Sequence, residues 1–243
     1  MTAKKRVAIL ISGRGSNMTA LVEAARDRDY PAEIVGVFSN RADAPGLQYA
    51  WLAGIPTAVI SHKDFASREA FDDQVQTVLE GWNAELICLA GYMRIFSEPF
   101  ARRWTGRMLN IHPSLLPLFK GLKPQQQALG AGVAESGCTV HWVTPNLDDG
   151  PAILQRRVPI LPGDTAETLA ARILVEEHIA YPVALAMFSA MPSLQRERAG
   201  FLARLGQYLG QPAPDRSYMA ALGSHTMTPI PILLGDPIEP DPK

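Results

Sequence analysis

The chain has 243 residues, and its 23 Lys and Arg against 24 Asp and Glu leave a formal net charge of −1. This balance disfavours a nucleic-acid partner, because no global positive field attracts a polyanion. The 47% of hydrophobic residues allows a substantial globular core, and no apolar run is long enough to span a membrane. The two cysteines lie in apolar runs and the histidines are scattered, so no metal site is predicted. A strand begins within six residues of the start, and we therefore expect a soluble, cytoplasmic protein.

Strands and helices alternate along the first half of the chain. The apolar run Arg6 to Ser12 predicts a strand buried on both faces, and Met18 to Ala25 predicts a helix. The pattern continues with predicted strands at 33–38, 56–61 and 85–91. Helices are predicted at 42–54, with an early interruption at Pro45-Gly46, and at 67–82, with Ser67 as the candidate N-cap. Such alternation predicts a doubly wound α/β fold with a mostly parallel sheet.

The second half adds strands at 108–112, 137–144 and 152–161, and the short connection between the last two predicts an antiparallel edge to a seven-stranded sheet. A short helix is predicted at 124–131. A capping box of Asp164 and Glu167 predicts the start of a long helix with a kink at Tyr181-Pro182. His141 is interpreted as a structural or half-exposed strand histidine. We expect one catalytic domain at 1–192, followed at 193–243 by a C-terminal helix and a proline-rich tail.

The segment after the first strand, Gly13-Arg14-Gly15-Ser16-Asn17, is a candidate anion site. A glycine turn that leads into a helix presents free backbone N–H groups and the positive end of the helix dipole. A dinucleotide fingerprint would need a third glycine where Met18 stands, and no Gly-Lys-Ser/Thr is present for a nucleoside triphosphate. A single phosphomonoester and a turn without a ligand stay equally open, and Arg41 keeps a phosphorylated dinucleotide among the candidates.

A second group of polar residues follows the later strands. Asn110 and His112 stand two positions apart, so on a strand both side chains leave the same face. Pro113 ends the strand because it has no N–H for the ladder, which puts His112 at the carboxyl end, where open α/β sheets bind ligands. Arg94 and Asp148 also follow predicted strand ends. Each fits an ordinary loop residue when taken alone, whereas together they predict an active site.

Five short motifs occur in order over roughly residues 5–190. They are Gly13-Arg14-Gly15-Ser16-Asn17, Phe38-Ser39-Asn40, Gly91-Tyr92-Met93-Arg94-Ile95, Asn110-Ile111-His112-Pro113-Ser114-Leu115-Leu116-Pro117 and Leu147-Asp148-Asp149-Gly150-Pro151. Each alone is weak, but the ordered set resembles the folate-dependent phosphoribosylglycinamide formyltransferase family. One segment departs from the family, since Lys123-Pro124-Gln125 stands where its members usually have one or two histidines.

The resemblance implies roles for individual residues. The catalytic residues would be Asn110, His112 and Asp148. The phosphoribosylglycinamide would be held by Gly15, Ser16, Asn17, Met18, Thr19 and Glu177. The folate would be held by the loop 144–148 together with Arg68, Met93, Arg94, Ile95, Phe96 and Asn110. The implied partners are small molecules, with 10-formyltetrahydrofolate as co-substrate and neither metal, nucleic acid nor membrane, and the implied assembly is a monomer or homodimer.

The implied reaction transfers the formyl group of 10-formyltetrahydrofolate to the amine of N1-(5-phosphoribosyl)glycinamide in purine biosynthesis. Attack by the amine creates a tetrahedral oxyanion, which needs hydrogen-bond donors aimed at it. The amide of Asn110 and a protonated His112 can donate, and a nearby Asp148 carboxylate is expected to raise the pKa of His112 and keep the ring protonated. Asp148 is also expected to help carry the amine's proton away through water.

Three alternatives stay open at the level of sequence. Hydrolysis of the formylfolate is disfavoured because no regulatory domain precedes Arg6. The second alternative is formylation of another amine, on a sugar or an aminoacyl-tRNA. The tRNA reaction is disfavoured because the sequence has neither a basic patch nor a large second domain. The third is a phosphoribosyl-binding module without catalysis, which the departure at Lys123-Pro124-Gln125 favours.

Overall fold

Seven strands and six α-helices alternate along residues 3–190, which are the residues that the computed structural model describes. The strands are β1 (Lys5–Ile11), β2 (Ala32–Ser39), β3 (Thr57–Val59), β4 (Leu86–Leu89), β5 (Met108–His112), β6 (Glu135–Trp142) and β7 (Ala152–Pro159). The helices are α1 (Ser16–Ala25), α2 (Gly46–Leu52), α3 (Arg68–Gly81), α4 (Glu98–Arg103), α5 (Pro124–Gly130) and α6 (Ala166–Ser189). The C-terminal helix and the proline-rich tail predicted at 193–243 lie outside the described residues.

The strands form one sheet in the order β3-β2-β1-β4-β5-β6-β7. β1 to β5 are paired in parallel, while β6 runs antiparallel to both β5 and β7. This arrangement confirms the doubly wound, mostly parallel seven-stranded sheet with an antiparallel edge. The strand order reverses between β1 and β4, so their carboxyl ends lie side by side at a switch point where open α/β sheets bind ligands.

Alternate residues of β1 supply two hydrophobic clusters, one on each face of the sheet. Val7, Ile9 and Ile11 belong to the cluster that includes residues of α1 and α6, whereas Ala8 and Leu10 belong to the one that includes residues of α3. All five are completely buried. A strand covered on both faces has no polar side, which explains why β1 reads as a continuous apolar run.

The start of α6 differs from the capping box predicted at Asp164 and Glu167. Thr165 is the N-cap, its hydroxyl accepts from the Thr168 N–H, and Thr168 Oγ1 accepts from the Thr165 N–H. Asp164 instead accepts from the Leu161 N–H and forms an ion pair with Arg172. The hydrogen bond and charge of this guanidinium hold the pKa of Asp164 well below its usual range. The predicted N-cap was therefore wrong by one position. Thr165 and Thr168 make the reciprocal contacts that were expected of Asp164 and Glu167.

Two other helices in the first half differ from the prediction. The helix expected from 42 begins only at Gly46, directly after Pro45. α4 was not predicted, although Ser97 as its N-cap residue and Pro99 in its first turn are ordinary helix-start signals. By contrast, the predicted cap of α3 is confirmed, because the Ser67 hydroxyl accepts from the Ala70 N–H.

Both cysteines are buried and free. Burial raises the pKa of the Cys88 thiol to about 12, so it stays protonated at neutral pH. Within residues 3–190 no helix combines the length and apolar character needed to cross a membrane. The same residues contain no cluster of His, Cys, Asp and Glu side chains suited to a metal ion.

Gly137 allows β6 to approach β7 closely. A Cβ added there would lie 2.0 Å from the carbonyl oxygen of Arg156 and 2.8 Å from Leu115 Cδ2. Since the backbone oxygen cannot move without breaking the ladder, we expect Gly137→Ala to lower the free energy of unfolding by about 3 kcal/mol. Gly130→Ala is the matched control, because nothing lies within 4 Å of that position in α5, and we expect it to be neutral or to stabilise by about 0.5–1 kcal/mol. Urea titrations would contradict the argument if both changes had equal effects.

Candidate active site

One face of the β5–β6 pair carries four polar side chains. In the antiparallel register Asn110 lies opposite His141, and His112 lies opposite Thr139. Residues directly opposite each other in an antiparallel pair share a face, so the two polar residues of each strand meet. The group stands at the carboxyl end of β5.

Asp148 comes from the loop between β6 and β7 and reaches this group. Its Oδ2 atom lies 3.4 Å from His112 Nδ1 and accepts the Gly121 N–H at 3.0 Å. His112 Nε2 lies 2.9 Å from the carbonyl oxygen of Phe119. Both ring nitrogens therefore face oxygen acceptors, and the ring can donate from both when it is protonated. The structure thus brings the predicted catalytic residues of β5 together with Asp148 of the β6–β7 loop.

The backbone conformation of the β6–β7 loop places Asp148 in the site. Asp148 has a φ of 48°, a left-handed conformation that aspartate tolerates better than most residues. A Cβ added at Gly150 would lie 1.8 Å from the carbonyl oxygen of Trp142, so the loop passes against the end of β6 without room for a side chain. The sequence Asp-Asp-Gly therefore lets the chain fold back and bury Asp148, which is 9% exposed.

His141 belongs to the site, although the sequence suggested only a structural role. Its Nδ1 donates to the carbonyl oxygen of Trp142 at 2.7 Å, and its Nε2 accepts from Asn110 Nδ2 at 3.2 Å. Burial lowers the pKa of His141, which favours the neutral ring that this pattern requires. The contact fixes the Asn110 amide with one N–H engaged and leaves the second N–H for a ligand. Alternation within β6 could not reveal this contact, because it depends on the register with β5.

The loop between β5 and α5 covers His112. Thr139 holds its first part, since the Thr139 hydroxyl donates to the Ser114 carbonyl at 2.7 Å and accepts the Leu116 N–H at 3.0 Å. Further along, Phe119 and Lys123 both have a positive φ, with Lys123 as the N-cap residue of α5. Because the Phe119 carbonyl accepts from His112, a substrate oxygen can take that donor only after the loop has moved.

The candidate phosphate loop leads into α1 at the switch point. Gly15 is the N-cap residue in a left-handed conformation, and no side chain caps the first N–H groups of the helix. Ser16 is half-buried, while Asn17 and Met18 are buried, so Met18 offers its backbone rather than its side chain. Thr19 donates both its N–H and its hydroxyl to the Gly15 carbonyl, so it has neither group free.

Glu177 of α6 approaches the same loop. Asn17 Nδ2 donates to Glu177 Oε2 at 2.6 Å, and Asn17 Oδ1 is buried without a partner among the described residues. Burial raises the pKa of Glu177, and the hydrogen bond from Asn17 opposes that shift. A buried carboxylate beside an amide with an unmet acceptor suits a ligand that brings hydroxyl or ammonium donors.

The predicted folate residues divide into exposed and buried side chains. Met93 and Ile95 are exposed, and Arg68 is exposed at the start of α3. The guanidinium of Arg94 lies 5.6 Å from the Phe71 ring centroid, and its Nε is buried without a hydrogen-bond partner among the described residues. Phe96 is buried in a stack with Tyr92 and Phe100, so its ring supports the segment from within the core.

A model of the formyl transferase family matches residues 5–185 of the 243-residue chain. The chain belongs to this family. It is 40% identical over 214 residues to the phosphoribosylglycinamide formyltransferase of Escherichia coli strain K12, a match that covers 88% of this chain and 98% of that protein. The resemblance drawn from the five motifs is thereby confirmed.

Another relative of this formyl transferase is much longer. The chain is 57% identical over 189 residues to the trifunctional purine biosynthetic protein adenosine-3 of Drosophila pseudoobscura pseudoobscura, covering 77% of the chain. The match spans only 14% of the length of that relative.

Two solved structures share the fold. The phosphoribosylglycinamide formyltransferase from Brucella melitensis has a TM-score of 0.74 and 55% identity, and the match covers 79% of this chain and 98% of that one. The glycinamide ribonucleotide transformylase 1 from Symbiobacterium toebii has a TM-score of 0.76 and 46% identity, with 78% of this chain and 89% of that one covered. The formyl transferase fold therefore extends over most of the described residues.

Asp148→Asn tests the carboxylate that faces His112 in this formyl transferase. The substitution keeps the side-chain size but removes the negative charge beside Nδ1, so we expect kcat to fall by about 10²-fold or more while the fold survives. Asp149→Asn is the control, because Asp149 is an exposed neighbour paired with Lys120, and we expect about a threefold change at most. Steady-state turnover and circular dichroism would check both variants, and unchanged turnover in Asp148→Asn would remove this residue from the catalytic group.

Glu177→Gln tests the cost of a buried charge. Because the pKa of Glu177 is raised in the folded protein, its contribution to stability is full at acidic pH and is lost as pH rises through that pKa. We therefore expect Glu177→Gln to raise the melting temperature at pH 7.5 and to give no gain at pH 4. The neighbouring Glu176→Gln should have the opposite sign at pH 7.5, since it leaves the buried Arg156 without its ion-pair partner. Scanning calorimetry showing the same sign for both would contradict this.

Proposed function

We propose that this protein transfers the formyl group of 10-formyltetrahydrofolate to the amine of N1-(5-phosphoribosyl)glycinamide, a step of purine biosynthesis. The observation that carries the proposal is the meeting of Asn110, His112 and Asp148 at the carboxyl end of β5. The names of the E. coli and Brucella relatives support the choice of substrates. As the sequence also predicts, the protein is cytoplasmic, binds small molecules and is a monomer or a homodimer.

The catalytic group suits acyl transfer without a covalent intermediate on the protein. The glycinamide amine attacks the formyl carbon, and the carbonyl electron pair moves onto the oxygen. The free N–H of Asn110 and the Nε2–H of His112 donate to that oxyanion. Collapse breaks the bond from the carbon to N10 of the folate, which takes up a proton while the attacking nitrogen loses one. Asp148 stabilises the protonated His112 and accepts the amine's proton through water.

The two ligands occupy opposite sides of this group in the proposal. The phosphate takes the free N–H groups at the start of α1, where Gly15 to Met18 and the helix dipole favour an anion. Glu177 accepts from the hydroxyl or amine groups of the phosphoribosylglycinamide, and Thr19 supports the turn from behind. The folate lies against the segment 93–96 and the loop 144–148, with Arg68 and Arg94 available for its carboxylates.

The decisive experiment is a turnover assay on the full chain. Formation of tetrahydrofolate and of formylglycinamide ribonucleotide is expected in equal amounts when both substrates are present. Folate product without the ribonucleotide product would show the hydrolase instead. Binding of both ligands without any product would show the silent binding module, which is the outcome that the unusual Lys123-Pro124-Gln125 segment favours.

Gly15→Val tests the phosphate loop. Gly15 has a φ of 72°, and a Cβ there would lie 3.2 Å from Gly46 Cα, so a β-branched residue distorts the turn that presents the N–H groups. We expect the affinity for phosphoribosylglycinamide to fall by about 100-fold and the affinity for the formylfolate to stay within about twofold. Calorimetry with each ligand would measure this. Equal losses for both ligands would argue against a separate phosphate site.

A further inference from the structure

The segment 91–96 joins β4 to α4 without forming a helix or a strand. It contains four of the residues that the proposed function assigns to the folate, Met93 to Phe96. The side chains of Met93 and Ile95 are 75% and 53% exposed, so their packing cannot hold the segment in place. The buried rings of Tyr92 and Phe96 anchor the segment in the core, and the exposed stretch between them depends on hydrogen bonds from outside.

Ser12 holds the front of this segment. It follows β1 directly and is buried, and its Oγ accepts the Met93 N–H at 2.8 Å. The Ser12 N–H also donates to the Gly91 carbonyl at 3.2 Å. The first part of the segment is thus tied to the end of β1, the strand that supplies both hydrophobic clusters.

Asn40 orients the Ser12 hydroxyl. Ser12 Oγ donates to Asn40 Oδ1 at 2.6 Å, and Asn40 Nδ2 lies 3.2 Å from His62 Nδ1. Because the hydroxyl hydrogen is engaged by Asn40, an oxygen lone pair of Ser12 is left to face the Met93 N–H. Asn40 is itself buried at the end of β2, so the acceptor has a fixed position.

Asp72 of α3 holds the rear of the segment. Its Oδ2 accepts the N–H of Ser97, the residue that begins α4, at 2.6 Å, and Asp72 is 3% exposed. The preceding residue, Phe71, carries the guanidinium of Arg94 over its ring. One turn of α3 therefore contacts both the backbone after the segment and the cation within it.

We infer that Ser12, Asn40 and Asp72 are positioning residues that clamp the two ends of the segment 91–96 and so preorganise the folate site. The inference rests on the proposed function and adds residues that act through the Met93 and Ser97 amides without touching a reacting atom. Without the clamp the stretch between Tyr92 and Phe96 must be ordered when the folate binds, which weakens that binding. The phosphoribosylglycinamide, held by α1 and α6, is affected little.

Ser12→Ala tests the front of the clamp. The Met93 N–H loses its acceptor, so we expect the KM for the formylfolate to rise about tenfold, while kcat and the KM for phosphoribosylglycinamide change by less than about twofold. Ser39→Ala is the matched control, because Ser39 is equally buried but its hydroxyl bonds only to the Arg41 backbone. We expect it to leave both KM values unchanged. If Ser12→Ala does not fold, Asn40→Ala tests the same end with an expected rise of at least about threefold.

Asp72 offers a conservative pair of variants for the rear. Asp72→Asn keeps a side-chain oxygen for the Ser97 N–H, whereas Asp72→Ala removes it. We expect the KM for the formylfolate to stay near the wild-type value with Asn and to rise about tenfold with Ala. Burial raises the pKa of Asp72, so a neutral amide suits the site and the Asn variant should fold.

Three results would overturn the inference. They are a rise of both KM values together in Ser12→Ala, a rise for Ser39→Ala of the same size, and an equal rise for Asp72→Asn and Asp72→Ala. Formylfolate affinity is also measured by calorimetry without the second substrate. A wild-type protein that binds the formylfolate but shows no turnover contradicts the proposed function alone, because the affinities of the variants still test the clamp.

Discussion

The antiparallel register of β5 and β6 is the constraint on which the site depends. A shift of one residue would turn Asn110 and His112 away from His141, because neighbouring residues of a strand point to opposite faces. On the other face Ile111 pairs with Val140, and both are buried in the core cluster. The hydrophobic pairing therefore selects the register, and the polar contacts follow from it without having to specify the fold.

Polar groups concentrate at this end of the sheet at a cost to stability. The largest influence on the pKa values of Asp72, His141 and Glu177 is burial, which opposes their charged forms. A neutral His141 avoids that penalty, whereas Glu177 and Asp72 are only partly relieved by the N–H groups of Asn17 and Ser97. The apolar clusters on both faces of β1 must outweigh this cost. The buried polar groups of the site thus lower the stability of the fold, and the hydrophobic core compensates for that loss.

The sequence predicts features that depend on local patterns. The apolar run of β1, the Ser67 cap of α3 and the two-residue spacing of Asn110 and His112 all follow from periodicity or from single-residue conformational preferences. The seven-stranded sheet with its antiparallel edge could be assembled from such elements. Loop motifs became informative only as an ordered set, since each alone fits an ordinary turn.

Features that depend on distant contacts could not be predicted in the same way. The role of His141 requires the β5–β6 register, and the bond from His112 to the Phe119 carbonyl requires the path of an irregular loop. The choice of Thr165 over Asp164 as the cap depends on Arg172, eight residues away from the aspartate. In each case a contact outside the local sequence pattern decides the outcome.

The loop over His112 supplies hydrogen-bond partners to two buried groups of the site. A buried donor or acceptor without a partner costs about 1–3 kcal/mol, and both His112 and Asp148 are buried. The Phe119 carbonyl accepts from His112 and the Gly121 N–H donates to Asp148, so the loop satisfies the same groups that the proposed mechanism uses. In the proposed mechanism a substrate oxygen takes the place of the Phe119 carbonyl beside His112, and a water molecule takes the place of the Gly121 N–H beside Asp148. His112 and Asp148 therefore have hydrogen-bond partners both in this structure and in the proposed reaction.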